Sequence, residues 1–105
     1  MPQDYVQARD WYRKAADQGD IFAQNNLGGL YAKGQGVPQD YAQARDWYRK
    51  AAEQGDAEAQ YNLGTLYAKV HGVPKDYVQA HMWYNLAAAQ GQEKAAKIEI
   101  NWQKI

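Results

Sequence analysis

Apolar and aromatic positions recur along this chain in two alternating helical patterns. In the segment Asp40-Tyr41-Ala42-Gln43-Ala44-Arg45-Asp46-Trp47-Tyr48-Arg49-Lys50-Ala51-Ala52, the residues Tyr41, Ala44, Tyr48 and Ala51 fall at i, i+3, i+7 and i+10. That spacing is one face of a helix. Arg45, Asp46, Arg49, Lys50 and Glu53 fall mostly off the face and read as solvated. Asp40 is a good N-cap, and Gln43 three residues on completes a pattern like a capping box. Gly55 stands where a left-handed residue closes a helix. Asp56 then reads as the cap of a second helix, with a stripe of Ala59, Leu63, Leu66 and Tyr67. Gly64 lies inside that helix, where a glycine costs about 1 kcal/mol against alanine. Its recurrence as Gly28 predicts a close helix-helix approach. The segments Gly34-Gln35-Gly36-Val37-Pro38 and Val70-His71-Gly72-Val73-Pro74 read as linkers, since proline disfavours helix at the residue before it.

The two patterns repeat with a period of 36. Asp4, Asp40 and Asp76 align, as do Trp11, Trp47 and Trp83, and Tyr12, Tyr48 and Tyr84. Residues 1–36 and 37–72 agree at 27 of 36 positions, which chance does not give. One helical hairpin cannot bury its stripe alone, so stacked neighbours must share a seam. The expected fold is all-α: a right-handed superhelical solenoid of antiparallel helix-turn-helix repeats.

Composition narrows the function classes. Lys+Arg and Asp+Glu both number 12 in 105 residues, a balance that opposes nucleic-acid binding and docking on an anionic membrane. No apolar run is long enough to span a bilayer, and the first residues do not read as a signal peptide. Cysteine is absent, which excludes disulfides and thiol chemistry. Four Trp and nine Tyr stand against one Phe, so the core must find partners for indole N–H and phenol O–H groups.

The motifs Ala23-x-x-Asn26-Leu27-Gly28-x-x-Tyr31, Gly34-x-Gly36-Val37-Pro38-x-Asp40 and Ala44-x-x-Trp47-Tyr48-x-Lys50-Ala51-Ala52-x-x-Gly55 resemble the Sel1-like repeat family, which is related to tetratricopeptide repeats. The resemblance covers roughly residues 1–92. It implies a single domain over 1–105 with a half unit (1–19), two units (20–55 and 56–91) and a C-terminal segment (92–105). It also implies an adaptor or scaffold for protein complexes, a role many bacterial members are expected to fill.

The third block departs from the pattern. Asp46, Lys50 and Glu53 become Met82, Leu86 and Ala89, a new apolar stripe at i, i+4, i+7. The tail offers Ile98, Trp102 and Ile105 at the same spacing. The simplest expectation is a capping helix over the last unit; an oligomer contact is the alternative. Tyr5, Trp11 and Tyr12 form the corresponding candidate contact at the other end.

No catalytic constellation stands out. Serine is absent, Thr65 has no histidine in register, and Asp4, Asp20, Asp40, Asp56 and Asp76 read as caps. His71 and His81 lack metal-ligand spacing and read as exposed bystanders. Gly34-x-Gly36 lacks the lysine and hydroxyl residue of a phosphate loop and reads as a turn. No cofactor or metal is expected, and a hydrolase is a remote alternative.

The informative signal is where near-identical repeats differ. On the first helix of each unit Asn25 becomes Tyr61 and Gly29 becomes Thr65. In tetratricopeptide-like superhelices this helix lines the concave groove, which makes Asn25, Asn26, Gly29, Lys33, Tyr61, Asn62, Thr65 and Lys69 the candidate contacts for a protein or peptide partner. A self-assembling module, a dimer or a domain swap, is the second reading, because the helix over 3–18 has no preceding helix to cover it.

Overall fold

The structure, a computed structural model, describes residues 2–69 and 76–91. Five helices run in order: α1 (Pro2–Asp17), α2 (Ile21–Lys33), α3 (Tyr41–Glu53), α4 (Ala57–Lys69) and α5 (Tyr77–Ala89). No strand occurs among the described residues. Packing follows chain order, α1 on α2, α2 on α3, α3 on α4 and α4 on α5. An all-helical stack of this kind is what the 36-residue period predicts.

The helix boundaries have local causes. Asp20, Asp40, Asp56 and Asp76 each accept a hydrogen bond from the backbone N–H three residues on, at 2.8, 3.1, 2.8 and 3.0 Å. Each bond satisfies one of the donors a helix start leaves open. The return bond of a capping box is not used. Instead the N–H groups of Asp40 and Asp76 donate to Tyr31 O and Tyr67 O of the preceding helix. Asp4 falls inside α1, which begins at Pro2, rather than at a helix start. Gly55 has φ +97°, and Gly19 and Gly91 in register share that sign, so each tight turn falls where only glycine is unstrained.

Both predicted stripes are buried, and the first is wider than its spacing implies. Ala44, Tyr48 and Ala51 are in the core with Trp47 and Ala52, while Tyr41 is half-buried. Ala59, Leu63, Leu66 and Tyr67 are all buried. Trp47 packs with Ala16, Ala23, Leu27 and Leu30 of the two preceding helices. Tyr48 and Tyr84 close the seams against α2 and α4. A Cβ built on Gly28 would lie 2.7 Å from Tyr48 Cδ1, and one on Gly64 would lie 3.0 Å from Tyr84 Cδ1 and 3.2 Å from Ala80 O. The in-register glycines therefore do mark close approach, with the aromatic ring occupying the space of the missing methyl.

Two buried glutamines, Gln24 and Gln60, were not legible as core positions. Gln24 Nε2 donates to Ala16 O at 3.2 Å, and Gln24 Oε1 accepts from Gln54 Nε2 at 2.8 Å. One unit later Gln60 Nε2 donates to Ala52 O at 3.1 Å, and its Oε1 accepts from Gln90 Nε2 at 2.8 Å. Each buried amide thus donates to a carbonyl near the end of one helix, shared with the backbone N–H of Gly19 or Gly55, and is itself satisfied from the end of another. A buried amide without such partners is strongly disfavoured. The ladder accordingly fixes the relative height of three helices.

Two adjacent glycines should respond in opposite directions. Gly28→Ala forces a methyl into the Tyr48 ring and is expected to destabilise by about 1–3 kcal/mol. A Cβ on Gly29 would meet Tyr48 Oη at an ordinary 3.7 Å. Gly29→Ala should stabilise by up to about 1 kcal/mol through helix propensity. Thermal unfolding followed by circular dichroism at 222 nm measures both; equal midpoints for the two variants would contradict the close-approach account.

Candidate functional site

The outward residues of α2 and α4 follow from the seam. Once Ala23, Leu27 and Leu30 of α2 and Ala59, Leu63 and Leu66 of α4 are buried, the flanking helix positions must line a groove. Asn25, Asn26, Gly29 and Lys33 of α2 line an open depression of about 390 Å³. Tyr5 and Tyr12 of α1 form one wall, and Glu58 and Asn62 of α4 the other, with Tyr48 of α3 between them. Tyr61, Asn62, Thr65 and Lys69 of α4 line a second depression of about 270 Å³, together with Tyr41 and Tyr48. Tyr48 and Asn62 belong to both, so the two hollows adjoin along the helices. The eight candidate contact residues, four of them at positions where the repeats differ, therefore lie in one continuous strip.

Hydrogen bonding inside the strip is uneven. Asn62 Nδ2 donates to Asn25 Oδ1 across the unit boundary at 3.1 Å. Asn26 Nδ2 instead donates to Phe22 O within its own helix at 2.8 Å. In the second hollow Tyr84 Oη donates to Thr65 Oγ1 at 3.0 Å, and Thr65 Oγ1 donates to Tyr61 O at 3.0 Å. The Tyr61 ring packs on Tyr84 with centroids 5.6 Å apart. In the first hollow Gly29 replaces Thr65 and Asn25 replaces Tyr61. The Tyr48 hydroxyl, in the register of Tyr84, is left without a hydrogen bond from any described residue.

Burial, with the nearby Glu58 charge second, pushes the Tyr48 phenol up from 10.0 to about 12. The Tyr84 phenol is also raised, chiefly by burial, with the Thr65 hydrogen bond opposing and Tyr61 adding to the rise. Both rings remain neutral donors at physiological pH.

The remaining sequence candidates are scattered. Tyr5 is 38% exposed and Tyr12 half-buried, and both face the first hollow. Trp11 is 73% exposed, unlike Trp47 in the same register, which packs between residues of α1 and α2. Met82 and Leu86 are 41% and 44% exposed and continue an apolar row from Val78. The register equivalents of that row in α3, Ala42, Asp46 and Lys50, are exposed although α3 has helices on both sides. The row therefore lies on the outer face of the stack rather than on a stacking seam. Trp102, the expected capping helix over 92–105 and His71 lie outside the described residues. His81, expected to be exposed, is half-buried in the register of Arg9 and Arg45. Sequence reasoning placed Tyr48 in the core alone and passed over Glu58. The Gly29/Thr65 difference carried the missing signal, since a threonine would have engaged the hydroxyl.

A stack of helical hairpins repeating every 36 residues, with an invariant seam and a variable groove, defines an α-helical repeat protein. The Sel1 repeat matches residues 1–20, 21–56 and 57–92, and the chain belongs to the Sel1-repeat family. It is similar to c5321, a protective antigen of uropathogenic Escherichia coli strains displaying an SLR fold, with 47% identity and a TM-score of 0.86. That match covers 90% of this chain but only 20% of the antigen, so the chain spans about a fifth of its length. A Sel1 repeat protein from Oxalobacter formigenes is 48% identical with a TM-score of 0.85, over 89% of this chain and 70% of that one. Helicobacter pylori cysteine rich protein B is 28% identical with a TM-score of 0.80, over 86% of this chain and 68% of that one. Comparison with curated proteins gives no match. Among the described residues, no helix is long and apolar enough to cross a membrane.

The raised phenols set an alkaline limb. A phenol whose folded pKa exceeds its unfolded one stabilises the fold fully below about pH 10, and this contribution is lost as pH rises toward 12. For Tyr48 the loss across that window should be roughly 2–3 kcal/mol. Tyr48→Phe should leave stability at pH 7 within about 0.5 kcal/mol, because no hydrogen bond is lost. It should also shrink the alkaline loss. Urea unfolding at pH 7, 10 and 11.5 tests this, and an unchanged alkaline loss in Tyr48→Phe would count against the assignment.

Proposed function

We propose that this protein is an interaction scaffold that holds a segment of another protein in the groove over α2 and α4. Sel1 repeats commonly serve as protein-interaction scaffolds. The observation that carries the reading for this chain is the coincidence of variability and shape. Near-identical units keep the seam constant but differ at Asn25/Tyr61 and Gly29/Thr65, and these positions line two adjoining hollows. Amides, phenols and the rim lysines Lys33 and Lys69 there supply hydrogen bonds, and Tyr61 supplies an aromatic anchor.

Peptides enriched from a displayed library on the intact chain test the proposal. Tyr61→Ala and Asn25→Ala should each weaken the enriched peptides about 5- to 30-fold by isothermal titration calorimetry, a range typical of single interface contacts. Peptides that bind both variants as tightly as the parent chain would remove the groove reading.

Self-association is favoured by a different observation, the outward apolar row Val78, Met82 and Leu86. Met82→Asp with Leu86→Lys restores the residues of the preceding unit at those positions. Any dimer held by the row should dissociate in this variant while the helix content stays constant. A parent chain that sediments as a monomer at all concentrations would eliminate self-association.

A further inference from the structure

The two hollows of the groove are not equivalent. In the second, Thr65 takes the Tyr84 hydroxyl and the Tyr61 ring covers it, so the polar group at its floor is already bonded. In the first, Gly29 leaves a notch above Tyr48. The nearest approach a Gly29 side chain would make is 3.7 Å, to the Tyr48 hydroxyl itself. That hydroxyl is uncommitted, yet its residue is only 7% exposed. It is not an enclosed unpartnered atom either, since no side-chain polar atom of that kind occurs among the described residues. The hydroxyl therefore keeps some access to solvent, and it lies beside the notch that Gly29 leaves.

Two further residues, Asn25 and Asn62, line the same hollow. Asn62 gives its amide N–H to Asn25 Oδ1, which leaves Asn62 Oδ1 as an acceptor and Asn25 Nδ2 as a donor with no described partner. The notch thus presents donors and an acceptor, all neutral, at the floor of a hollow. Glu58 lines the same hollow, and its charge opposes a second carboxylate. Donors and an acceptor that are partly buried and unpaired select strongly for a ligand group that pairs with both kinds. A carboxamide is such a group; a carboxylate can only accept, and an ammonium can only donate.

We propose that the Asn25–Gly29–Tyr48 notch is the specificity pocket of the groove and takes the side-chain carboxamide of an Asn or Gln in the partner segment. This rests on the groove reading above. Gly29 is then the selecting residue, because its lack of a side chain keeps the Tyr48 hydroxyl available. Thr65 is the closed version of the same site.

Gly29→Thr tests the proposal without harming the fold. It places in α2 the residue that α4 already carries in register, and threonine is no worse than glycine in a helix. The probe is a peptide enriched from a displayed library on the parent chain and shown to be weakened by Tyr61→Ala. Gly29→Thr should bind it at least 10-fold more weakly by calorimetry, with an equal or higher thermal midpoint. The enriched peptides should share an Asn or Gln. Its replacement by Ala, or by Asp or Glu of matching length, should cost about 10-fold on the parent chain and almost nothing on Gly29→Thr. Tyr48→Phe should reproduce the loss in part. If Tyr61→Ala weakens the peptide but Gly29→Thr does not, the notch is refuted and the groove stands. If enriched peptides lack a shared Asn or Gln, or bind as well with Asp or Glu there, the carboxamide assignment falls. If no peptide responds to Tyr61→Ala, the groove reading fails first.

Discussion

The α2–α3 and α4–α5 steps of this stack each rest on a tyrosine ring laid against a helix that carries no side chain at the point of contact. A Cβ on Gly28 would lie 2.7 Å from the Tyr48 ring and one on Gly64 would lie 3.0 Å from the Tyr84 ring, so each ring takes the space a side chain would need. The pairing sets how closely successive helices approach, and interiors packed to this density pass such constraints on to their neighbours. With the spacing fixed, the alanines Ala44, Ala51, Ala59, Ala80 and Ala87 can fill the space between helices completely. The glutamine ladder adds the remaining coordinate, the height of one helix along another. Close approach and height together leave little freedom for the groove, whose walls are simply the positions beside the seam.

This division explains how one architecture carries different surfaces. Residues in the seam are coupled to two neighbours and cannot vary alone. Residues beside it face the hollow and touch the seam only at the outer edge of the Tyr48 or Tyr84 ring, so Asn25 and Tyr61, or Gly29 and Thr65, can exchange while Leu27 and Leu63 stay in place. The same logic extends to the outer face, where Asp46 and Lys50 give way to Met82 and Leu86 while Trp83 and Tyr84 stay in place. Helicobacter pylori cysteine rich protein B shares the fold, yet this chain contains no cysteine; packing and the amide ladder hold its units together.

Local features were legible in the sequence, and relational ones were not. Caps at Asp20, Asp40, Asp56 and Asp76 and the turn at Gly55 depend on a few adjacent residues, so their spacing was sufficient. The stripes of α3 and α4 depend on helical period alone. Gln24 and Gln60 read as ordinary polar helix residues, because their burial depends on carbonyls eight residues earlier and amides thirty residues later. Within the groove, repeat differences identified the lining of α2 and α4. They did not show that Tyr48 of α3 reaches through to it, since that requires knowing what stands opposite the ring.

The ladder also has a bearing on how such a chain can change length. Gln24 reaches Ala16 and Gln60 reaches Ala52, the same carbonyl one period apart. Excising residues 20–55 as a block would bring Gln60 against Ala16 and rebuild every rung with the identical partner. Losing 35 or 37 residues would instead turn the amide out of register and leave it without its partners. Genetic insertion and loss are thereby quantised: the protein can shorten or extend in whole units, each carrying its own portion of groove, and any other step is removed by the energetics of one buried amide.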